Sequence, residues 1–179
     1  YFMYTIGVIA VGYFIFELLK LGEASLQKKL IAAFSFIFFY FLFNAIYEQS
    51  GGSLSLFAKD NLSDNLLGFT IDPNVVNNSS NTFFVIILSP LIGLLWLWLA
   101  KKKIEPNTLI KFGIGFLFLS ASFYLFYYTK FFANVDGITS LNIFTFAYFV
   151  TTIGELCLGP IGMSIITKLS PKRLFGMMM

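Results

Sequence analysis

The chain has 179 residues, 58% of them hydrophobic and only 12% charged, with a mean hydropathy of +0.81. A water-soluble domain is about a quarter charged, so this chain has too little polar surface to cover itself in water, and lipid is its fitting solvent. A net charge of +3 is too small to point to nucleic acid, the lack of histidine excludes His-based metal sites, triads and proton shuttles within these residues, and the single cysteine, Cys157, excludes an intrachain disulfide.

A hydrocarbon core of about 30 Å takes roughly 20 helical residues to cross. Five apolar runs meet or approach that length. They are Tyr1 to Leu19, about 27–58 with Glu48 inside it, about 81–100, about 107–129, and about 139–167 with Glu155 inside it. Helix is the expected state of each, because a backbone in lipid must satisfy its own hydrogen bonds. The expected fold class is therefore an all-α, polytopic membrane bundle, with 1–20 as a separate transmembrane helix and four helices in 21–179. Between the second and third runs, 59–80 is rich in Asn, Asp and Ser and reads as a surface loop, with Asn-x-Ser patterns at Asn61, Asn77 and Asn78. No basic leader precedes the first run, and Leu174 to Met179 reads like the opening of a further helix, so the expectation is a fragment of a longer protein.

Basic residues set the expected orientation. With loops 20–29, 101–106 and 168–174 in the cytoplasm, ten Lys and Arg lie at or near that side. Only Lys59 and Lys130 lie on the other, which accounts for all 12. This is the bias of a multi-pass inner or plasma membrane protein. Trp96 and Trp98 near one end of the third helix, and Tyr124, Tyr127 and Tyr128 near one end of the fourth, suit interfacial belts.

Two carboxylates fall inside apolar helices. From the rise of ~1.5 Å per residue, Glu48 lies roughly 15 Å and Glu155 roughly 24 Å from the outer ends of their helices. An ionised group at such depth costs at least ~2.5 kcal/mol and faces a bundle interior or a wet cavity. Each belongs to a polar stripe. Tyr40, Asn44 and Glu48 follow at intervals of four, and Asn142, Thr145, Tyr148, Thr152 and Glu155 step by three or four, so each set shares a helix face. Two such faces are the expected walls of one hydrated cavity. Pro90 inside the third helix, and Gly159 and Pro160 just after Glu155, are candidate kink or gating positions. A proline removes one helical hydrogen bond and crowds the carbonyl four residues back.

Tyr47-Glu48-Gln49-Ser50, Asn81 ahead of an apolar run to Pro90 and Trp96, Gly154-Glu155-Leu156, Gly159-Pro160-Ile161-Gly162 and Lys168-Leu169-Ser170-Pro171 together resemble the proton-dependent oligopeptide transporter family of the major facilitator superfamily. The resemblance covers nearly the whole chain, as the seventh to tenth helices of the family preceded by an extra linker helix. It implies a C-terminal transporter bundle whose N-terminal bundle lies outside these residues. It also implies symport of di- or tripeptides with protons, no cofactor, and no enzymatic activity. By position it implies that Glu155 holds the amino end of a peptide, that Asn81 helps hold its backbone, and that Glu48 pairs with a basic residue of the N-terminal bundle during proton coupling. Some members carry an acid where Tyr47 stands here. Tyr40, Asn44 and Tyr148 complete the expected substrate-binding set. Two other readings stay open at this point. One is a major facilitator carrier of another small solute, for which a lone central Glu155 is a poor fit. The other is a structural membrane subunit, in which Glu48 and Glu155 would be dispensable, or an ion-translocating one, which would place His, Lys or metal ligands inside the helices.

Overall fold

The computed structural model describes residues 24–169 (side chains from 25 to 159) and the separate positions 5, 9, 12, 13, 15, 16 and 20. The expected helix over 1–20 falls mostly outside the described residues, as do 170–174 of the expected loop 168–174. Five α-helices are described: α1, Ala24–Tyr47; α2, Ser53–Asn61; α3, Pro73–Lys101; α4, Thr108–Tyr128; and α5, Leu141–Leu169. Strands β1, Asn65–Leu66, and β2, Phe69–Thr70, form one antiparallel hairpin with Asn65 opposite Thr70 and Leu66 opposite Phe69. Four segments are long and apolar enough to cross a membrane: Ser25–Asn61, Pro73–Lys101, Thr108–Phe132 and Leu141–Gly159. Their outward surfaces are greasy, with Ile86 70%, Leu97 61% and Leu117 71% exposed, as helices bathed in lipid require.

The chain divides into two compact units, Tyr1–Phe39 with Met163–Met179, and Tyr40–Gly162. In the first, Leu30 and Ala33 of α1 are buried and the Ser35 hydroxyl donates to the Ile31 carbonyl at 2.9 Å. That back-bond satisfies a polar side chain inside an apolar helix. The second unit holds the remainder of the architecture and all of the polar clusters described below.

The expected single helix over 27–58 is corrected to two. The α-helical ladder stops at Tyr47, and Glu48–Gly51 forms a 3-10 turn before α2 begins at Ser53. The reason is local: Ser50-Gly51-Gly52-Ser53 has poor helix propensity, and Gly52 adopts φ −114° and ψ −103°, outside the helical region. Gly52 N–H donates to the Gln49 carbonyl at 3.1 Å, and Leu56 N–H donates to the Gly52 carbonyl at 3.3 Å as the helix resumes.

The expected surface loop over 59–80 is corrected as well. It is the end of α2, the β-hairpin and the first two turns of α3, which starts at Pro73 rather than near residue 81. Asp72 caps that start, its carboxylate accepting from Asn74 N–H at 2.7 Å. Proline at the first helical position loses nothing, since its missing donor would have gone unpaired there. The hairpin turn is Leu67-Gly68 with φ of +52° and +93°, the positive pair of a two-residue primed turn.

This end of the second unit is clasped by backbone pairing between distant segments. Ser63 N–H donates to the Thr139 carbonyl at 2.9 Å, Thr139 N–H to the Asn61 carbonyl at 2.7 Å, and the Thr139 hydroxyl to the Thr129 carbonyl at 2.5 Å. Beneath the clasp lies a core of Ala58, Leu62, Val76, Phe126, Leu141, Phe144, Ala147 and Tyr148. The Phe126 ring meets Phe144 and Tyr148 edge-on at 5.1 and 5.3 Å, the geometry that aromatic quadrupoles favour. Further along, α4 and α5 touch through glycines. A Cβ on Gly154 would lie 2.9 Å from the Gly115 carbonyl oxygen, so the two backbones are in direct contact, as small residues permit between membrane helices.

Candidate functional site

Residues Tyr148, Thr152 and Glu155 lie on one face of α5 at spacings of four and three. Each makes a polar contact to another element. The Tyr148 hydroxyl donates to Asn77 Oδ1 at 2.6 Å, and Thr152 Oγ1 lies 2.8 Å from Asn81 Oδ1. The Tyr47 hydroxyl donates to Glu155 Oε2 at 3.1 Å. Asn77 and Asn81 are themselves one helical turn apart on α3, so two polar faces meet rung by rung. Asn77 Nδ2 also donates to the Ser50 carbonyl at 3.1 Å. It thereby satisfies a backbone acceptor set free where α1 breaks, and it ties α3, α5 and the break into one network.

The members differ in how fully they are used. Asn77, Tyr148 and Thr152 are buried, while Tyr47, Asn81 and Glu155 are half-buried. The Thr152 hydroxyl has a single proton for two acceptors, Asn81 Oδ1 and the Tyr148 carbonyl, both at 2.8 Å. Among the described residues, Glu155 Oε1 and Asn81 Nδ2 make no hydrogen bond. A carboxylate oxygen and an amide donor thus stay available beside one another's helices, in a setting where Coulombic attraction is stronger than in water.

The other expected site residues are placed differently. Glu48 opens the 3-10 turn, is exposed, and makes no hydrogen bond or ion pair among the described residues. Asn44 donates its amide to the Tyr40 carbonyl at 2.8 Å, inside its own helix. Neither the Tyr40 nor the Asn44 side chain hydrogen-bonds to the α3–α5 cluster. Asn142 turns away from that cluster and accepts from Leu67 N–H of the hairpin at 2.9 Å, and Thr145 bonds back to the Leu141 carbonyl. Pro90 lies inside α3, which continues through it, and α5 likewise continues past Gly159 and Pro160 to Leu169. A Cβ on Gly159 would meet nothing within 4 Å, so packing alone does not demand glycine there. Cys157 is a buried free thiol packed as a small apolar group.

Two members of the network were not among the residues expected to act. Asn77 falls in a stretch whose Asn, Asp and Ser content predicts a surface loop. The structure instead buries it in α3. The signal that could have found it is Asp72-Pro73, a cap followed by proline, which starts the helix early and puts Asn77 one turn before Asn81. Tyr47 precedes Glu48 and carries no charge to mark it, yet it is the side chain that reaches Glu155.

A sequence profile described as the POT family matches residues 3–179. The peptide transporter YePEPT of Yersinia enterocolitica is 34% identical to the chain over 99% of it and 35% of that protein. The dipeptide and tripeptide permease A of Serratia proteamaculans is 30% identical over 98% of the chain and 33% of that protein. A crystal structure of a mutant peptide transporter POT in complex with alafosfalin superposes with a TM-score of 0.82 at 28% identity, over 96% of this chain and 35% of that one. A POT family transporter in complex with 5-aminolevulinic acid gives a TM-score of 0.81 at 27% identity, over 97% and 36%. The chain therefore spans about a third of the length of the relatives it matches, and the expected fold class, a membrane helical bundle of the major facilitator type, is the observed one.

Proposed function

This chain belongs to the POT family, and we propose from that premise that it forms the greater part of the C-terminal bundle of a proton-coupled symporter of di- and tripeptides. The observation that carries the reading is the half-buried Glu155 carboxylate, with one oxygen held by Tyr47 and the other clear of hydrogen bonds among the described residues. A peptide brings a positive amino end and a chain of amide acceptors. Glu155 Oε1 takes the ammonium through a charge-assisted hydrogen bond, and Asn81 Nδ2 donates to a peptide carbonyl. Tyr40 and Asn44, one turn apart on α1, complete the proposed substrate-binding set, and Tyr148 holds Asn77. Relatives named as dipeptide and tripeptide permeases support peptides as the cargo.

Glu48 serves proton coupling. It stands exposed on the 3-10 turn, free to exchange a proton for an ion pair with a basic residue of the N-terminal bundle as the two bundles close. Alternating access follows from rocking of the bundles around the central site, with bends in α3 at Pro90 and in α5 at Gly159-Pro160. Pro160 withdraws the hydrogen bond owed to the Leu156 carbonyl, next to Glu155. The transporter lies in the inner or plasma membrane with loops 20–29, 101–106 and 168–174 in the cytoplasm. The run Lys101-Lys102-Lys103 supports that orientation. At the same end of the bundle Lys102 Nζ lies 3.9 Å from the Trp98 ring centre and Lys111 Nζ 4.5 Å from that of Trp96, as suits a membrane interface.

The test is uptake of labelled dialanine by liposomes holding the full-length transporter, with and without Glu155→Gln. The expected result is uptake by the wild type and its loss in the variant. Undiminished uptake by Glu155→Gln would remove this carboxylate from the site.

A further inference from the structure

We propose that Tyr47 is a positioning residue for peptide capture: it holds one oxygen of Glu155 in place so that the other is presented to the amino end of the cargo. The inference rests on the transport reading above and adds to it Tyr47, at a position where some members of the family carry an acid.

Four observations converge on it. The contact is long-range, between partners 108 positions apart in sequence whose oxygens lie 3.1 Å apart. The tyrosine ring is itself fixed. It stacks on Phe43 one turn earlier at 6.1 Å and 14°, and the buried Phe43 ring meets Phe116 of α4 edge-on at 5.8 Å and 80°. The backbone under Glu155 is fixed too, because its neighbour Gly154 abuts the Gly115 carbonyl. Finally, Tyr47 is the last residue of α1 before the break, so its hydroxyl is carried by the helix while Glu48 belongs to the 3-10 turn.

A flexible glutamate must lose side-chain freedom when it captures a ligand. A glutamate whose Oε2 already accepts from a packed tyrosine has lost most of it beforehand, which raises affinity by pre-organisation. The arrangement also has a chemical bias. With Oε2 engaged, Glu155 presents a single-point acceptor, which suits a compact ammonium better than a flat two-pronged donor. Because Tyr47 and Glu48 are consecutive, the carboxylate proposed to hold peptide and the one proposed to hold the proton are joined by one hydrogen bond and one peptide bond.

The experiment is Tyr47→Phe in the full-length transporter, which deletes only the hydroxyl and keeps the ring stacked on Phe43. Uptake of dialanine is measured for KM and maximal rate, alongside competition by N-acetyl-dialanine, which lacks the ammonium. A hydrogen bond to a charged group corresponds to a factor on the order of ten or more. The expected result is a KM for dialanine raised about tenfold, with competition by the acetylated peptide unchanged. In a Glu155→Gln background, Tyr47→Phe should leave dialanine binding where Glu155→Gln alone puts it, because residues that act through one contact are not additive. An unchanged KM in Tyr47→Phe, or an equal loss for both peptides, overturns the inference while leaving the transport reading intact. Absence of dialanine uptake by the wild type overturns the transport reading itself.

Discussion

Replacing Gly154 with alanine adds one methyl where α4 and α5 are closest. That carbon would sit 2.9 Å from the Gly115 carbonyl oxygen, 3.2 Å from Phe118 Cβ and 3.3 Å from Leu119 N. Two of these three atoms are backbone, so no rotamer change relieves the contact and the helices must separate. Overpacking of this kind costs about 1–3 kcal/mol, and rigid neighbours put Gly154 toward the upper end. Against it stands the gain of roughly 1 kcal/mol for alanine over glycine inside a helix. The expected net change is a loss of about 2 kcal/mol, read as a lower thermal unfolding midpoint of the full-length protein in detergent. Gly113→Ala is the matched control. It lies on α4, is exposed, and a Cβ there meets nothing within 4 Å, so only the propensity gain applies and the midpoint should hold or rise. If Gly154→Ala melts at or above wild type, or if the two alanines shift the midpoint alike, the glycine contact does not set the spacing of these helices.

Two further predictions concern the network and the hairpin. Asn77→Ala leaves the buried Tyr148 hydroxyl and the Ser50 carbonyl without their partner. It should cost about 2–6 kcal/mol, at about 1–3 kcal/mol for each orphaned group, whereas Asn78→Ala, exposed on the same turn, should be close to neutral by the same melting assay. Leu67 is held at φ +52° in the hairpin turn, where a branched side chain is costly and asparagine is favoured. Leu67→Asn should therefore stabilise by about 0.5–1 kcal/mol, and a fall in midpoint would contradict the turn assignment.

Membrane helices were legible because length and apolarity alone dictate them, and the four described spans stand within a few residues of where they were expected except at two places. Both exceptions arose where short-range chemistry overrode composition. The break after Tyr47 lies between two apolar stretches, so the run read as one helix although Gly51-Gly52 could not sustain it. The polar stretch 73–80 read as a loop because Asn and Ser are common in loops, yet the Asp72-Pro73 start was enough to wind it into α3. Glu155 stood out because an acid inside an apolar helix is expensive, and Asn81 was indicated only by the family resemblance. Their partners did not stand out. Which α3 residue faces Tyr148, and that Tyr47 reaches Glu155, depend on how each helix is rotated about its axis, and the even greasiness of these helices hides that rotation. The stripe on α5 held for Tyr148, Thr152 and Glu155, whereas Asn142, at the helix start, was claimed by the hairpin's backbone.

Co-movement of protons with peptide tests the central claim most directly. Liposomes carrying the full-length transporter and a trapped pH-sensitive dye are given dialanine outside, with the membrane potential clamped. The account predicts acidification of the interior that begins with dialanine and is missing in Glu155→Gln. Dialanine entering the liposomes without any change of internal pH would contradict proton coupling.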